Sequence, residues 1–335
     1  MTTESTPTPM SSADPAKSRV SLIIPTYNGA HLLTTCLDAV ARQSRRPDET
    51  IVVDDASTDD TLALLQERYS WVRVVRHEHN LGFVGAVNAG IRAASGTVIA
   101  LLNNDTEPEP QWLEALIQPL EERSDVAFTA SKLLLFDRRD YLHSAGDGYS
   151  CGGVPINRGA WTPDDGRFDR PETIFGACGG AVAYRRHMLE DLGGLDPWLV
   201  SYLEDTDLNW RAQLRGYRCE FVPQARVYHR ISATSGGIRP SYFCGRNFLL
   251  VLASDVPTPL LRRHWRAIMR EQGAILLEAV RHLREPAARA RLQGYLAGLL
   301  LLPAALRRRR RVQATRRVPV ADLEALLTCR GAERP

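Results

Sequence analysis

The sequences VSLIIPTYNG at residues 20–29 and TIVVDDASTDD at residues 50–60 decide the fold. Each begins with a run of β-branched and other apolar residues, which is typical of a buried strand, and ends in polar, turn-forming residues. A helical pattern of apolar residues follows each run, over Leu32–Val40 and over Thr58–Tyr69. A strand followed by a helix, twice in succession, predicts parallel strands joined by helices.

The alternation of strands and helices continues along the chain. Strands are predicted at Val72–Val75 and Thr97–Leu102, separated by a helix over Gly82–Ala94. The second of these strands is apolar, as a central parallel strand buried on both faces would be. A helix over Gln111–Leu120 and a strand around Val126–Thr129 follow. The pattern predicts an α/β fold: a doubly wound, mostly parallel sheet with helices on both faces.

Changes in composition divide the chain into three predicted segments. Residues 1–18, rich in Ser, Thr and Pro, read as a disordered lead-in, residues 19–257 as the α/β domain, and residues 258–335 as a helical, Arg-rich region. Within the domain, residues 136–172 lack periodicity and are predicted to be a long irregular insertion. Regular structure is then predicted to resume in two helices and a strand, at 185–192, 203–214 and 218–222.

The cysteines and the N-terminal sequence indicate the cellular compartment of the protein. The six cysteines are scattered without a Cys-x-x-Cys pair, so we expect reduced thiols rather than a disulfide framework or structural zinc. The N-terminal residues lack the basic and apolar segments of a secretory signal. The longest apolar stretch, Gly294–Leu306, is shorter than the roughly 20 residues of a spanning helix. These features favour a cytoplasmic protein without a transmembrane helix.

Polar side chains gather where the predicted strands end. The first strand is followed by Thr26 and Asn28, the second ends in Asp54 and Asp55, and the strand at 97–102 is followed by the sequence NND. Ligands of open α/β sheets bind outside these carboxyl ends, and carboxylates that face one crevice repel each other unless a cation lies between them. Mg²⁺ or Mn²⁺ is the simplest such cation. The neighbouring residues Asp59 and Asp60 have an equally good alternative role at a helix start.

Two later groups are also candidates for chemistry. Glu204, Asp205 and Asp207 lie at the start of a predicted helix, where a carboxylate could act as a general base or could simply complement the helix dipole. His229 follows a predicted strand, where a single imidazole is either structural or a metal ligand. Neither group is specific when taken alone.

Taken in order, these motifs closely resemble family-two inverting nucleotide-sugar glycosyltransferases of the GT-A fold. The resemblance spans residues 19–250 and rests on PTYN at 25–28, VVDDASTD at 52–59, NLGF at 80–83, NND at 103–105, and ED at 204–205 with His229. It is nearest to the bacterial rhamnosyltransferase-like branch, on account of NLG at 80–82, GG at 179–180 and RN at 246–247. That branch implies transfer of a sugar, such as rhamnose, to a glycan or lipid-linked acceptor in cell-surface polysaccharide synthesis.

The resemblance also implies roles for individual residues. Asp205 matches the catalytic base, which takes the proton of the acceptor hydroxyl. Asp105 matches a metal ligand and His229 a residue that completes the coordination of Mg²⁺ or Mn²⁺ in some relatives. Asn103 and Asn104 replace the family's usual first acid, so Asp105 alone is left to bind the metal through a carboxylate. Thr26 and Asp55 would hold the ribose and base of a UDP- or dTDP-sugar, with Asp55 accepting from the pyrimidine imide.

The full set of residues expected to bind the donor nucleotide comes from the same motifs. It comprises Pro25, Thr26, Tyr27, Asn28, Asp54, Asp55, Asn80, Gly82, Asn88 and Asn104. No covalent enzyme nucleophile is needed, since one base and one metal suffice for a single inversion.

The C-terminal region differs in charge from the rest of the chain. Residues 1–259 carry 25 basic and 33 acidic side chains, whereas residues 260–335 carry 17 basic and 6 acidic ones. The apolar stretch at 294–302 precedes five consecutive arginines at 307–311. This pattern favours a helix at the anionic inner face of the cell membrane. Alternatively, the apolar residues pack on the α/β domain and the arginines are solvated.

Two other classes of protein share single features with this chain. The arginines could bind nucleic acid, but there is no helix-turn-helix, zinc-finger or RNP pattern, and the main domain is acidic. An NAD-linked oxidoreductase also uses a doubly wound sheet, but it needs G-x-G-x-x-G directly after the first strand, where this chain has PTYNG. We expect no nucleic-acid partner.

Overall fold

The computed structural model describes residues 18–231 and 237–329. The predicted lead-in at 1–18 therefore lies outside the described residues, except for Ser18. The strands are β1 Val20–Thr26, β2 Glu49–Asp54, β3 Arg73–Arg76, β4 Val98–Leu102, β5 Thr106–Pro108, β6 Val126–Leu135, β7 Leu142–Ala145, β8 Asp147–Tyr149, β9 Pro155–Asn157, β10 Glu172–Ile174, β11 Ala181–Arg185 and β12 Arg218–His229. The helices are α1 Ala30–Ala41, α2 Thr61–Arg68, α3 Gly82–Ala93, α4 Trp112–Glu122, α5 Arg186–Leu192, α6 Glu204–Arg215, α7 Ile238–Ser254, α8 Thr258–Arg281, α9 Pro286–Ala314 and α10 Val320–Ala325.

The main sheet confirms the predicted doubly wound α/β fold. Its strand order is β10-β12-β6-β11-β4-β1-β2-β3. Strands β4, β1, β2 and β3 are mutually parallel, and β12 is parallel to β6. Strand β11 is antiparallel to both of its neighbours, so the sheet is mixed at its centre. The parallel strands place the ends of β1, β2 and β4 at one edge, which is where the predicted site residues lie.

Helices cover both faces of the sheet because the strand residues alternate between two apolar cores. Leu22 and Ile24 of β1 pack in the core formed with α1, α2 and α4. Ile23, which points to the opposite face, packs in the core formed with α3, α5 and α6. This alternation with period two is the reason that every residue of β1 is buried.

The segment at 136–172 is more regular than predicted. It contains the short strands β7, β8 and β9, of which β7 pairs with β6 and β8 pairs with β9. The strands have three or four residues each, too few to show a periodicity in the sequence. Buried Lys132 ties the segment to the sheet, because its Nζ donates to Asp164 Oδ1 at 2.8 Å and to Asp169 Oδ1 at 2.6 Å.

The C-terminal helices pack on the α/β domain. Helix α9 lies against α7, and a Cβ at Gly294 or Gly245 would overlap the backbone of the facing helix. The two helices are therefore in contact through their backbones, as small residues allow. Helical structure begins at Ile238, earlier than the predicted boundary at residue 258. Among the described residues, no helix combines the length and the apolar character that crossing a membrane requires.

Arg308, the second residue of the arginine run, is buried rather than solvated. Its guanidinium bonds to Asp207 of α6 and to Asp255, and its Nε donates to Asp196 Oδ2 at 2.7 Å. Burial alone would raise the pKa of Asp207, but Arg211 and Arg308 outweigh it and lower that pKa. Asp207 is thus part of a buried ion-pair network and not only a charge at a helix start.

Arg308→Leu should lower the free energy of unfolding by about 3–5 kcal/mol, because it leaves Asp255 buried without its cation and leaves Asp207 with Arg211 alone. Chemical denaturation of the full chain measures the change. Arg310→Gln, two residues along the same helix but exposed, is the control and should stay within about 0.5 kcal/mol of wild type. Equal effects of the two substitutions would show that the network does not anchor the C-terminal region.

Two cysteines contradict the expectation of reduced thiols. Cys151, after β8, and Cys329, after α10, form a disulfide with a Cα–Cα distance of 5.0 Å. Cys151 N donates to Thr328 O, and Thr328 N donates to Tyr149 O, so the chain end pairs with the end of β8. The cysteines are 178 residues apart in sequence, and only this tertiary pairing brings them together. The other four cysteines are free, as expected.

Reduction of the disulfide should destabilise the protein by about 2–4 kcal/mol, since the bond closes a long loop in the unfolded chain. Peptide mapping of the oxidised protein should find Cys151 linked to Cys329. Cys151→Ser should lower the unfolding midpoint by as much as dithiothreitol does and should abolish any further response to it. If Cys244→Ser, which removes a free thiol, has the same effect, the linkage is not the cause.

Candidate functional site

The ends of β1, β2 and β4 bring the predicted polar residues together. Asn104 Nδ2 donates to Thr26 Oγ1 at 2.8 Å, so the residues after β4 contact the end of β1 directly. Gly29 lies against this pair, where a Cβ would overlap both side chains. The pair is buried, yet its remaining polar atoms line the edge of the sheet at which ligands of this class of fold bind.

Asp55 lies at the end of β2 and organises the loop before α3. Its carboxylate accepts hydrogen bonds from Leu81 N at 2.9 Å and Gly82 N at 2.8 Å, and lies 2.7 Å from His77 Nδ1. Asn80 Nδ2 donates to the Asp55 backbone carbonyl. Gly82 has a φ of +76°, and its Cβ-free backbone fits against Val200. The predicted residues Asp55, Asn80 and Gly82 are therefore in mutual contact.

The other predicted nucleotide residues are not all accessible: Pro25 in β1 and Asp54 in β2 are buried. Asn28 adopts a left-handed conformation with φ of 49°, and its side chain accepts from Thr58 N at 2.8 Å. Tyr27 beside it is 44% exposed, so its ring is available to a ligand. Asn88 lies apart from these residues: its amide donates to Leu195 O and accepts from Leu195 N, which ties α3 to the loop before α6.

Asp105 and His229 form the best candidate metal site. Strand β12 pairs with β5, so His229 Nε2 lies 3.2 Å from Asp105 Oδ1. That oxygen is buried and accepts no hydrogen bond. A carboxylate oxygen without a donor, beside an imidazole nitrogen, is a donor set that Mg²⁺ or Mn²⁺ accepts. The two side chains fit the metal role that was predicted for them.

His143, from β7, contacts the ring nitrogen of His229 that does not face Asp105. The two Nδ1 atoms are 3.0 Å apart. Burial, with a smaller contribution from His229, lowers the pKa of His143 to about 3, so its ring is neutral. In the tautomer in which His229 Nδ1 donates to His143 Nδ1, His229 Nε2 keeps a free lone pair toward Asp105. Orientation of a metal-ligating imidazole through its second nitrogen is a common arrangement.

The loop at 195–203, which leads into α6, has a strained backbone. Val200, Tyr202 and Leu203 all have φ between 64° and 67°, a region that costs a non-glycine residue about 1–2 kcal/mol. Fully buried Asn247 holds the loop, since its Nδ2 donates to three backbone carbonyls of the loop, those of Leu199, Ser201 and Tyr202. Strain that the surroundings maintain in this way is typical of functional sites.

Asp205 lies in the first turn of α6, directly after this loop. Its Oδ2 accepts from Gly179 N at 3.1 Å and its Oδ1 from Thr206 N at 2.7 Å. Burial raises the pKa of Asp205, although these hydrogen bonds oppose the rise. A carboxylate held by backbone donors, with its pKa moved toward neutrality, suits a general base.

Glu204, the neighbour of Asp205, has a different environment. Its carboxyl is buried, and its Oε2 has no hydrogen-bond partner. Burial, together with the charge of Asp205, raises its pKa to about 8. At neutral pH Glu204 is therefore mostly protonated and is the poorer base of the two.

Asp147 and Cys178 lie close to Asp205, although no sequence pattern predicted this proximity. One ligating atom from each of the three side chains lies within 4.8 Å of the other two. Asp147 belongs to β8 in the segment at 136–172, and its pKa is raised strongly by burial and by the charge of Asp205. His77 and His143 were missed as well, and Asn247 was named only as part of the RN motif, without a role in the site. All of these residues reach the site through tertiary pairing, which has no local sequence signal.

The chain is similar to known proteins in sequence and in fold. The family model for glycosyl transferase family 2 matches residues 21–193. The O-antigen biosynthesis protein RfbC of Myxococcus xanthus is 31% identical over 231 residues, which cover 64% of this chain and 18% of RfbC. The chain thus spans less than a fifth of that relative's length.

Two solved structures share the fold. GalNAc-T7, solved with UDP, GalNAc and Mn²⁺, has a TM-score of 0.56 at 19% identity, over 79% of this chain and 58% of its own. The first 349 residues of S. aureus TarS, solved with UDP-GlcNAc, have a TM-score of 0.55 at 19% identity, over 89% of this chain and 91% of that chain. These likenesses confirm the GT-A type of α/β fold. With the family match over more than half of its residues, the chain belongs to glycosyl transferase family 2.

Proposed function

We propose that this chain is an inverting, metal-dependent glycosyltransferase that moves a sugar from a nucleoside-diphosphate sugar to a hydroxyl group. The observation that carries the proposal is the placement of Asp205 and Asp105. The first is a carboxylate held by two backbone N–H groups, and the second has a buried oxygen with no donor beside His229. Asp205 would accept the proton of the acceptor hydroxyl, and Asp105 would bind the metal that stabilises the leaving group.

The donor binds at the ends of β1, β2 and β4. Thr26, Asn104 and Asp55 face the nucleoside, while Tyr27 and Asn28 border the crevice. The pairing of Asn104 with Thr26, and the contact of Asp55 with Asn80 and Gly82, support one continuous nucleotide site. GalNAc-T7 and TarS were solved with UDP and with UDP-GlcNAc, which supports a UDP- or dTDP-sugar here. We propose rhamnose as the sugar of the donor, because the NLG, GG and RN motifs resemble those of the rhamnosyltransferase-like branch.

In the proposed reaction, Asp205 accepts the proton of the acceptor hydroxyl as that oxygen attacks the anomeric carbon. The bond from this carbon to the diphosphate oxygen breaks, and the nucleoside diphosphate leaves from the opposite face. Asp105 and His229 would hold Mg²⁺ or Mn²⁺, which when bound would supply positive charge to neutralise the leaving diphosphate. A single displacement inverts the anomeric centre, and no second carboxylate is required as a nucleophile.

A screen of donors tests this function. Purified full-length protein is incubated with UDP-, dTDP- and GDP-sugars, with Mn²⁺ or with EDTA, and release of nucleoside diphosphate is measured. We expect hydrolysis of one nucleotide class that stops in EDTA. Absence of hydrolysis for every donor, or turnover that EDTA does not change, would contradict a metal-dependent transferase.

We also propose that the C-terminal helices bring the enzyme to the anionic inner face of the membrane. Helix α8 exposes Trp265 at 55% and Met269 at 64%, one turn apart on one face, and exposes Leu277 and Val280 further along. On α9, Leu300 is 75% exposed. Exposed arginines flank these apolar residues, at 262, 266 and 270 on α8. An apolar stripe with basic borders suits an interfacial helix and an acceptor that is anchored in lipid.

Trp265→Ser with Met269→Ser should weaken binding to phosphatidylglycerol vesicles at least about tenfold, because burial of a large apolar side chain contributes about 1.5–3 kcal/mol. Salt at about 1 M, where the Debye length is about 3 Å, should release the wild-type protein. Co-sedimentation measures both effects. Trp71→Ser is the control, since Trp71 is 47% exposed but lies just before β3. Binding that ignores salt and lipid charge, or an equal loss in the control, would contradict the proposal.

A further inference from the structure

A cleft of about 670 Å³ lies between α9 and the loop that leads into α6. Arg307, Arg310 and Arg311 of α9 line one side, and Asp196 and Trp198 of the loop line the other. The three arginines are spaced three and four residues apart, so they share one face of the helix. The cleft is distinct from the nucleotide crevice, whose residues lie at the ends of β1, β2 and β4.

The positive charge of the cleft is not balanced by the protein. Arg308, which also lines it, is matched by Asp196, Asp207 and Asp255. In contrast, the side chains of Arg307, Arg310 and Arg311 form no ion pair or hydrogen bond with any residue of the described ranges 18–231 and 237–329. Like charges one turn apart on a helix repel each other. An anion bound between these side chains would remove that repulsion.

The number of unmatched charges indicates the class of ligand. Three guanidinium groups carry three positive charges, and a diphosphate ester carries two or three negative charges near neutral pH. A single carboxylate would leave two guanidinium groups unmatched. Guanidinium groups also bind phosphate oxygens in a bidentate manner that a point charge cannot reproduce. The volume falls within the range of about 300–1,000 Å³ for small-molecule sites, so there is room for groups attached to the diphosphate.

One wall of the cleft is tied to the helix that carries the proposed base. Arg308 on this wall bonds to Asp207 of α6, and Asp205 lies two residues earlier on the same helix. Trp198 belongs to the strained loop, and Arg246 Nη2 donates to its backbone carbonyl at 2.9 Å. Leu300 and Leu306, at 75% and 54% exposure, precede the arginines on α9 and offer an apolar path away from them. A phosphate group bound here would thus lie between an apolar path along α9 and the helix that carries Asp205.

We infer that this cleft binds the diphosphate of a lipid-linked acceptor, a ligand of the same enzyme whose transfer reaction is proposed above. The inference rests on that proposed function for the identity of the acceptor. It adds a phosphate-binding site that is separate from the donor site and explains why the arginine run begins where α9 meets the loop of α6.

Titration calorimetry with the full chain tests the inference. The probes are inorganic diphosphate and geranyl diphosphate, added in EDTA with saturating UDP so that the donor site does not contribute. Arg307→Gln with Arg310→Gln and Arg311→Gln should weaken both probes at least about tenfold. Geranyl diphosphate should bind more tightly than inorganic diphosphate, because only the former carries an apolar chain. The charge-matched control is Arg42→Gln with Arg46→Gln and Arg92→Gln, which changes exposed arginines of the α/β domain and should stay within about twofold of wild type.

Four results would overturn the inference: no binding of either probe to wild type, unchanged binding in the cleft variant, an equal loss in the control, or no preference for the geranyl ester. If the cleft variant loses affinity for phosphatidylglycerol vesicles but not for the diphosphate probes, the cleft binds phospholipid headgroups and the inference is wrong. UDP binding with Mn²⁺ is measured in parallel. Failure of the diphosphate probes with intact UDP binding contradicts only the inference, whereas absence of UDP binding contradicts the proposed function.

Discussion

Asp205→Asn should lower turnover at least about 10²-fold while nucleotide affinity stays near that of wild type, because the substitution keeps the shape and most hydrogen bonds but removes the base. The amide oxygen can take the place of Oδ1 and accept from Thr206 N, whereas the NH2 group takes the place of Oδ2 and loses the hydrogen bond from Gly179 N. Wild-type kcat/KM should rise with pH as Asp205 loses its proton. Since burial raises its pKa, this rise should lie above the ordinary range of an aspartate, and it should be absent in the variant.

Glu204→Gln is the matched control for Asp205→Asn. Because the pKa of Glu204 is raised to about 8, it is mostly neutral at pH 7, and glutamine should change turnover little there. Asp207 cannot serve as a second control, because its carboxylate is part of the buried network with Arg308. If Glu204→Gln abolishes turnover while Asp205→Asn does not, the base is misassigned.

Asp105→Ala should reduce affinity for UDP at least about tenfold in Mn²⁺ and should have no effect in EDTA. The reason is that Asp105 and the diphosphate together supply ligands that neither supplies alone. Wild-type affinity should fall in EDTA to the level of the variant. Asp140→Ala, which removes an exposed carboxylate after β6, is the control and should behave as wild type. Equal affinity of the wild-type protein for UDP in Mn²⁺ and in EDTA would contradict a role for the metal in nucleotide binding.

Much of the fold follows from local sequence patterns. The apolar runs at 20–24 and 98–102 form the central strands β1 and β4, because a nearly continuous apolar run followed by polar residues is typical of a strand buried on both faces. The same reasoning located the candidate site, since parallel strands end at one edge of the sheet. Thr26, Asp55 and Asn104 are accordingly close in space. Membership of glycosyl transferase family 2 leaves the oxidoreductase and nucleic-acid interpretations without support.

The remaining site residues depend on long-range pairing. His143 and Asp147 come from three- and four-residue strands in a segment without periodicity, and they reach His229 and Asp205 only because that segment folds onto the sheet. Arg308 looks like its four neighbours in sequence, yet packing of α9 buries it alone beside Asp207. Local patterns report the face of an element but not the partner opposite it. These contacts therefore required the structure.

The stereochemistry of donor hydrolysis tests the central claim most directly. The donor selected by the screen is incubated with enzyme and Mn²⁺ in an NMR tube, and the anomer of the released sugar is identified before it equilibrates. A single displacement assisted by Asp205 predicts that the first-formed sugar has the configuration opposite to that of the donor, and that EDTA prevents its formation. Release of the sugar with retained configuration would contradict the account, because it would require a second displacement and a nucleophile that the proposed mechanism does not contain.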